Sequence, residues 1–131
     1  MSATWNPDEL QTIADEDEVV LASRRPDESL GIVTTIWIVR VGDDAYVRSA
    51  FGSGNLWYTR AKKAGAGHVT IGGISRDVTI EDASADSDHP ADDEAIDNAY
   101  HAKYDANYPQ KYIEPVVDAA SHATTLRLIP A

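Results

Sequence analysis

The fold is decided by TTIWIVRVGDDAYVRS, residues 34–49. Within and just before this stretch, Gly31–Val41 is the strongest strand pattern of the chain. Alternate positions on both of its faces are mostly apolar or β-branched, a pattern typical of a strand that is covered on both sides. We therefore expect a central strand here.

The second half of the stretch predicts an antiparallel hairpin. Gly42-Asp43-Asp44 has the composition of a turn, so Ala45–Ala50 is expected to return as the partner strand. If the two aspartates form the loop, Arg48 lies opposite Val39. Ser49 then points to the other face, because side chains alternate along a strand.

The flanking sequence predicts short helices and strands that do not alternate regularly. A helix start is indicated by Asn6-Pro7-Asp8-Glu9, in which Asn6 is the N-cap and Glu9 completes a capping box. The dipeptide Gly72-Gly73 indicates a second tight hairpin. Helices are expected at 7–14, 56–64, 90–105 and 113–121, and further strands at 18–24, 68–71, 74–80 and 124–129. Gly65 is expected to end the second of these helices. This order favours the α+β class, with an antiparallel sheet or a small barrel.

Length and composition limit the protein class. With 131 residues, 22 acidic and 11 basic, the chain predicts one domain (1–131) with a net charge of −11. It contains no cysteine, which excludes disulfides, thiolate metal sites and cysteine nucleophiles. No apolar run approaches the roughly 18 residues of a membrane span, and Met1-Ser2-Ala3 opens no secretion signal. We expect a cytoplasmic protein that binds neither membranes nor nucleic acid, since duplex binding needs a basic surface.

The charges are distributed unevenly along the chain. Carboxylates concentrate at 15–18 and 81–94, whereas the segment Arg40–Arg76 holds six basic residues and only Asp43 and Asp44 as acids. Such a locally basic region could attract a small anionic ligand. It could equally consist of solvated strand and helix faces.

The histidines offer two weak catalytic or metal patterns. His68 should lie opposite Asp77 across the second hairpin, either as a base with its orienting carboxylate or, as we favour, as a cross-strand polar pair. Carboxylates and an imidazole recur at four-residue steps along one helix. A divalent ion could bind there, but an exposed acidic stripe is the favoured interpretation. The residues are Asp93, Asp97, His101 and Asp105.

Aromatic and cationic residues are concentrated between 37 and 63. Flat rings beside cations and hydroxyls suit a planar ligand that carries a phosphate. The alternative, which spacing alone favours, is that the rings belong to the core and the cations to the surface. The residues are Trp37, Tyr46, Phe51, Trp57 and Tyr58, with Arg48, Ser49, Arg60 and Lys62.

The chain resembles the bacterial and archaeal domain-of-unknown-function family 2255. The motifs are ordered and span nearly the whole sequence. They are residues 34–49, Trp57-Tyr58, Gly72–Thr79, Ala99–Tyr104 and Ala123–Pro130. That family is similar in turn to flavin- and deazaflavin-binding split β-barrels, which include proteins like pyridoxamine-phosphate oxidase and the deazaflavin-dependent nitroreductases.

This resemblance implies a small split β-barrel of about six strands with flanking helices. It also implies a homodimer that binds FMN or a deazaflavin, hence an oxidoreductase. The implied cofactor contacts are Thr35, Trp37, Arg48, Ser49, Trp57 and Lys62. Arg48 and Lys62 would bind phosphate, Ser49 and Thr35 would donate hydrogen bonds, and the tryptophans would wall the pocket.

A second hypothesis is a barrel without catalytic activity that binds a small anionic ligand or a protein partner. Its support is that 52–56 lacks the Ser/Thr-x-Lys phosphate motif of the flavin-binding proteins.

Overall fold

The computed structural model describes residues 4–131 and confirms the α+β class. Met1, Ser2 and Ala3, from which we predicted no secretion signal, lie outside the described residues. The helices are α1 (Pro7–Asp15), α2 (Leu56–Ala64), α3 (Asp93–Tyr104), α4 (Gln110–Val117) and α5 (Ala119–His122). The strands are β1 (Glu18–Ser23), β2 (Thr34–Trp37), β3 (Val39–Val41), β4 (Asp44–Val47), β5 (Ala66–Ile71), β6 (Ile74–Asp82) and β7 (Leu126–Pro130).

Within the described residues the strands form one sheet in the order β2-β1-β5-β6-β7-β4-β3. Every neighbouring pair is antiparallel. The two edge strands, β2 and β3, are consecutive in the chain and are separated by Ile38 alone. The sheet therefore curls into a nearly closed barrel, as predicted, with seven strands in place of about six because the 31–41 run forms two of them.

The prediction of a central strand at Gly31–Val41 is wrong. β2 and β3 lie at opposite edges of the sheet, and the side chains of β2 are half-buried or exposed. The backbone N–H of Ile38 donates to the Tyr104 hydroxyl (3.2 Å) and so does not continue a strand ladder. Ile36 and Ile38 on one face pack into the barrel cluster, whereas Trp37 and Val39 on the other face pack against α3, a division that periodicity within 31–41 does not reveal.

The first hairpin forms, but its predicted register is wrong by two residues. Val39 pairs with Tyr46 and Val41 pairs with Asp44, so Arg48 does not lie opposite Val39. Gly42 occupies the first loop position with φ of +60°, a conformation that favours glycine in a two-residue loop. Because the shift is two residues, β4 keeps its predicted faces.

The local predictions that depend on caps and tight turns are confirmed. Asn6 and Glu9 form a reciprocal capping box at the start of α1. Gly65 ends α2 in the left-handed conformation, with φ of +66°. The second hairpin turns at Gly72-Gly73, which places His68 opposite Asp77.

Two hydrophobic clusters fill the molecule. The first lies inside the barrel, is closed by α1 and α2, and includes Ile13, Val69 and Leu128. The second packs α3 and α4 against β3 and β4. Trp57 packs at the margin of the first cluster and Trp37 at the margin of the second. The surface between these two tryptophans is where the candidate site lies.

Candidate functional site

A cavity of about 460 Å³ lies between β2, the start of α2 and the start of α4. We call it the aromatic cleft. Its polar residues include Thr34, Thr35, Asn55 and Lys111. Its rings are Trp37, Phe51, Trp57, Tyr108 and Tyr112. An aromatic cavity with a few polar groups suits a flat organic ligand.

One wall of the cleft is held rigidly by stacked rings. Trp37 stacks on Tyr104 with ring centroids 4.0 Å apart and planes 5° from parallel. Tyr108 packs at a tilt against Trp37 and donates its hydroxyl to a carboxylate oxygen of Asp17 (2.9 Å). The single hydrogen of the Tyr104 hydroxyl is shared between the carbonyl oxygens of Asp17 (2.5 Å) and Ile38 (2.9 Å), and burial raises the pKa of this hydroxyl well above the ordinary value. The indole of Trp37 therefore presents a fixed surface to the cleft.

Phe51 stands at the edge of the cleft in an unusual backbone conformation. It has φ of +66°, which is uncommon outside glycine, and its side chain is 81% exposed. The turn that holds it is fixed from inside by Ser49, whose hydroxyl donates to the Gly52 carbonyl oxygen (2.6 Å) and accepts from the Asn55 amide (2.8 Å). The sequence gives no signal for this ring position, because the strain arises from the turn as a whole.

Arg48 lines the cleft, but its guanidinium is fully occupied by the protein. Its side chain is buried, and Nε donates to the Thr125 hydroxyl (3.0 Å). Nη1 donates to Asp97 and to the Val116 carbonyl oxygen, and Nη2 donates to the carboxylate (3.1 Å) and to the carbonyl oxygen (3.5 Å) of Asp93. These contacts use all five N–H donors of an arginine.

The remaining predicted contacts divide into two groups. Thr35, Trp37 and Trp57 line the aromatic cleft together with Arg48. Ser49 is buried beneath the turn, and Lys62 lies near Asp82 (3.8 Å), outside the cleft lining. The structure thus brings four of the six predicted residues together and leaves two elsewhere.

Lys111 is a cation of the cleft that sequence reasoning missed. Its ammonium lies 5.1 Å from the ring centre of Tyr112, within the range of a cation–π contact. Both residues belong to the first turn of α4, far along the chain from the basic segment Arg40–Arg76. A Lys-Tyr pair at a helix start was the available signal, and it is a weak one.

The His68–Asp77 pair is present on the outer face of the second hairpin. His68 Nδ1 lies 2.9 Å from Asp77, and Nε2 lies 2.8 Å from the Ser75 hydroxyl. The hydrogen bond from His68 and then that from Arg24 lower the pKa of Asp77. The group does not line the aromatic cleft, in keeping with a cross-strand polar pair.

The four acidic and histidine positions of α3 divide into two separate groups. Asp93 and Asp97 face Arg48, and His122 reaches Asp97 from α5 at 3.0 Å. His101 and Asp105 form a separate exposed pair. Among residues 4–131 no group of three His, Cys, Asp or Glu side chains is placed to hold a metal ion.

Lys103 joins the cleft wall to the rest of the barrel. Its ammonium donates to the carbonyl oxygens of Ile13 (2.8 Å) and Ile38 (2.7 Å). Burial lowers its pKa to about 8, although the carboxylates of Asp17, Asp15 and Glu16 act in the opposite direction.

We predict that Lys103 makes the stability depend on pH. Its pKa is lower in the folded state than the unfolded value of about 10.4, so the unfolded state binds more protons between these values. The free energy of unfolding should therefore gain a rising contribution from pH 8 to pH 10. Urea unfolding at several pH values measures it. Lys103→Met should lack this contribution, and equal pH slopes in both proteins would contradict the prediction.

No helix in the part of the chain that the structure describes is long and apolar enough to cross a membrane.

Solved structures share this fold at low sequence identity. A pyridoxamine 5′-phosphate oxidase-like protein from Listeria innocua has a TM-score of 0.58 and 12% identity, covering 92% of this chain and 89% of that one. The heme storage protein HutZ from Vibrio cholerae has a TM-score of 0.62 and 9% identity, with 96% and 89% covered. A structure described as an F420 reductase has a TM-score of 0.52 and 16% identity, with 92% of each chain covered.

The nearly closed seven-stranded barrel, its flanking helices and these structural matches define the class of split β-barrel proteins. Within that class the chain belongs to the family described as "Uncharacterized protein conserved in bacteria (DUF2255)", whose model matches residues 9–128. The resemblance inferred from the sequence motifs is thereby confirmed. No curated protein sequence matches the chain.

Proposed function

We propose that this protein is an oxidoreductase that binds a flavin or deazaflavin in the aromatic cleft. The observation that carries the proposal is the pair of indoles, Trp37 and Trp57, facing a cavity of about 460 Å³. Proteins of the same fold support the proposal: one solved structure is described as an F420 reductase, and another as a FAD- and heme-binding protein from Mycobacterium smegmatis.

The cleft residues fit the ring system of such a cofactor. Trp37 offers a face fixed by Tyr104, and Thr35 is an exposed residue that can hydrogen-bond a ring edge. Lys111 supplies a positive charge at the cleft for an anionic substituent. Arg48 does not fit as a phosphate ligand, because Asp93 and Asp97 already neutralise it.

The protein's contribution to the reaction is orientation and shielding. The cofactor itself would supply hydride transfer. Trp37 and Trp57 would exclude water from its ring, and Lys111 would favour an electron-rich, negatively charged ring. We assign no side chain as a general acid or base.

Binding is tested by titrating FMN and, separately, a deazaflavin while following cofactor fluorescence. Trp57→Ala should weaken binding roughly tenfold, because it removes one stacking contact and the free energy of such a contact corresponds to about that change in affinity. Thr59→Ala is the matched control, since Thr59 is exposed on the same helix and does not line the cleft. Circular dichroism confirms folding. Absence of saturable binding by the unmodified protein at high micromolar concentration would refute the proposal, as would unchanged affinity in Trp57→Ala.

Binding without catalysis is the second candidate function. It is favoured by the neutralised Arg48, which removes the phosphate contact expected of a flavin enzyme. The two functions differ in turnover. An oxidoreductase should speed the oxidation of the bound, reduced cofactor by a redox dye, whereas a binding protein should leave the rate at or below that of the free cofactor.

We also propose that a second copy of the chain covers the cleft. Phe51, Leu56 and Tyr112 are large, exposed apolar side chains around it, and Ile32 and Val33 are exposed before β2. Covering them would remove apolar area from water and shield the cofactor. Light scattering on the titration samples should give twice the chain mass of 14.2 kDa, and a monomer at all concentrations would refute this step.

A further inference from the structure

A second cavity, of about 550 Å³, lies between α2 and the β1–β2 connection. We call it the basic cleft. Four of the residues that line it carry positive charge: Arg24, Arg25, Arg60 and Lys63. The basic cleft and the aromatic cleft have no lining residue in common. None of the predicted cofactor contacts belongs to it.

The charge of the basic cleft contrasts with the charge of the chain. The net charge of the protein is −11, yet no carboxylate residue lines this cavity. Two aspartates lie nearby. Asp27 accepts hydrogen bonds from Ser29, and Asp77 pairs with Arg24 (2.6 Å), which offsets one of the four positive charges and leaves Arg25, Arg60 and Lys63 to give the cavity its net positive charge. In an acidic protein, a concave surface lined by cations concentrates the field and attracts anions.

Two of the cations are held in place by the loop that carries them. Arg24 Nη1 donates to the Glu28 carbonyl oxygen (2.8 Å), and Arg25 Nη1 donates to the Leu30 carbonyl oxygen (3.2 Å). The loop is itself closed by a backbone hydrogen bond from Gly31 to Ser23 (2.8 Å). These contacts use only part of each guanidinium, so further N–H groups remain for a ligand.

The other two cations come from the second half of α2. In residues 4–131, the lysines and arginines that form ion pairs are Arg24, Arg48, Lys62, Arg76 and Arg127. Arg60 and Lys63 are therefore exposed without an ion-pair partner in the described chain. The helix C-terminus accounts for cations at this end of α2. It does not account for their meeting two loop arginines across a cavity.

We propose that the basic cleft is a binding site for a multiply charged phosphate compound. Arginine forks and lysine ammonium groups are the side chains that bind phosphate oxygens. The site goes beyond the proposed oxidoreductase function, because it requires no ring in the aromatic cleft. A small hollow lined by Ile32, Thr34, Trp57 and Arg60 lies between the two clefts.

The probe for this site is inorganic pyrophosphate, titrated calorimetrically at low salt. The double variant Arg60→Gln/Lys63→Gln should bind it at least tenfold more weakly, and rising salt should weaken binding to the unmodified protein. Both side chains are exposed, so the fold should persist. Arg40→Gln is the control, because it removes one positive charge at a position that does not line the basic cleft. Arg40 lies on β3 and donates to the Gly42 carbonyl oxygen in the first hairpin. The affinity of Arg40→Gln should stay within twofold.

Two results would overturn the proposal. One is no heat of binding with millimolar pyrophosphate, and the other is equal affinity of the double variant and the unmodified protein. Neither result depends on cofactor binding, so this site and the proposed function can fail separately. A second titration identifies the source of the phosphate. If pyrophosphate competes with FMN, the site holds the phosphate of the cofactor, and if both bind together it holds a separate phosphorylated ligand.

Discussion

Replacing Arg48 with alanine is expected to lower the free energy of unfolding by about 3–5 kcal/mol, the cost of breaking a buried ion pair by removing one partner. The guanidinium joins β4 to α3 and α4 through Asp93, Asp97 and the Val116 carbonyl oxygen. Without it, two carboxylates face each other and His122 with no compensating arginine. Since small domains are stable by about 5–15 kcal/mol, the variant should be close to unfolding.

Urea unfolding followed by circular dichroism measures this effect. The matched variant is Arg48→Met combined with Asp93→Asn and Asp97→Asn, which removes all three charges together. It should recover much of the lost stability, because replacing a whole buried ionic group costs less than breaking one. If Arg48→Ala lowers the free energy of unfolding by less than about 1 kcal/mol and also abolishes FMN binding, the structural role is contradicted. Arg48 would then be a phosphate ligand, as the family resemblance implied.

The behaviour of Arg48 shows which part of the site was predictable from sequence. Its place among the candidate cofactor contacts came from the family resemblance, and the structure puts it in the lining of the aromatic cleft. Its partners are 45 and 49 residues away on α3, so no local pattern identifies them. Asp93 and Asp97 were predicted to share one helix face with His101 and Asp105. The tertiary contact divided that face into a half-buried part that pairs with Arg48 and an exposed part.

Several features that a local rule decides were predicted from the sequence, although the register of the first hairpin was not. The capping box at Asn6, the left-handed Gly65 and the turn at Gly72-Gly73 each depend on a few neighbouring residues. The break at Ile38 depends on Tyr104, 66 residues further along, and without that contact the 31–41 run is indistinguishable from one strand. Closure of the barrel was therefore available from the family resemblance and not from periodicity.

Tyr104 is expected to show the second large effect, because it supports both the barrel closure and the cleft. Its ring is fully buried between Trp37 and Tyr100, and its hydroxyl satisfies both the N–H and the carbonyl oxygen of Ile38. Tyr104→Ala should cost about 3–5 kcal/mol, as is usual for a large buried ring. Trp37 would also lose the surface on which it stacks.

Tyr104→Phe separates the two roles of this residue. It keeps the ring but loses the hydroxyl, which leaves the Ile38 N–H and the Asp17 carbonyl oxygen without this partner, at a cost of about 1–3 kcal/mol. Urea unfolding gives both energies, and FMN titration of the folded variants gives the effect on the cleft. If stacking fixes Trp37, Tyr104→Phe should bind FMN nearly as the unmodified protein does, whereas Tyr104→Ala should bind it several-fold more weakly. Equal FMN affinities in all three proteins would mean that the wall of the cleft is held by Tyr108 and not by the stacked pair, and that the contact closing the barrel has no part in forming the site.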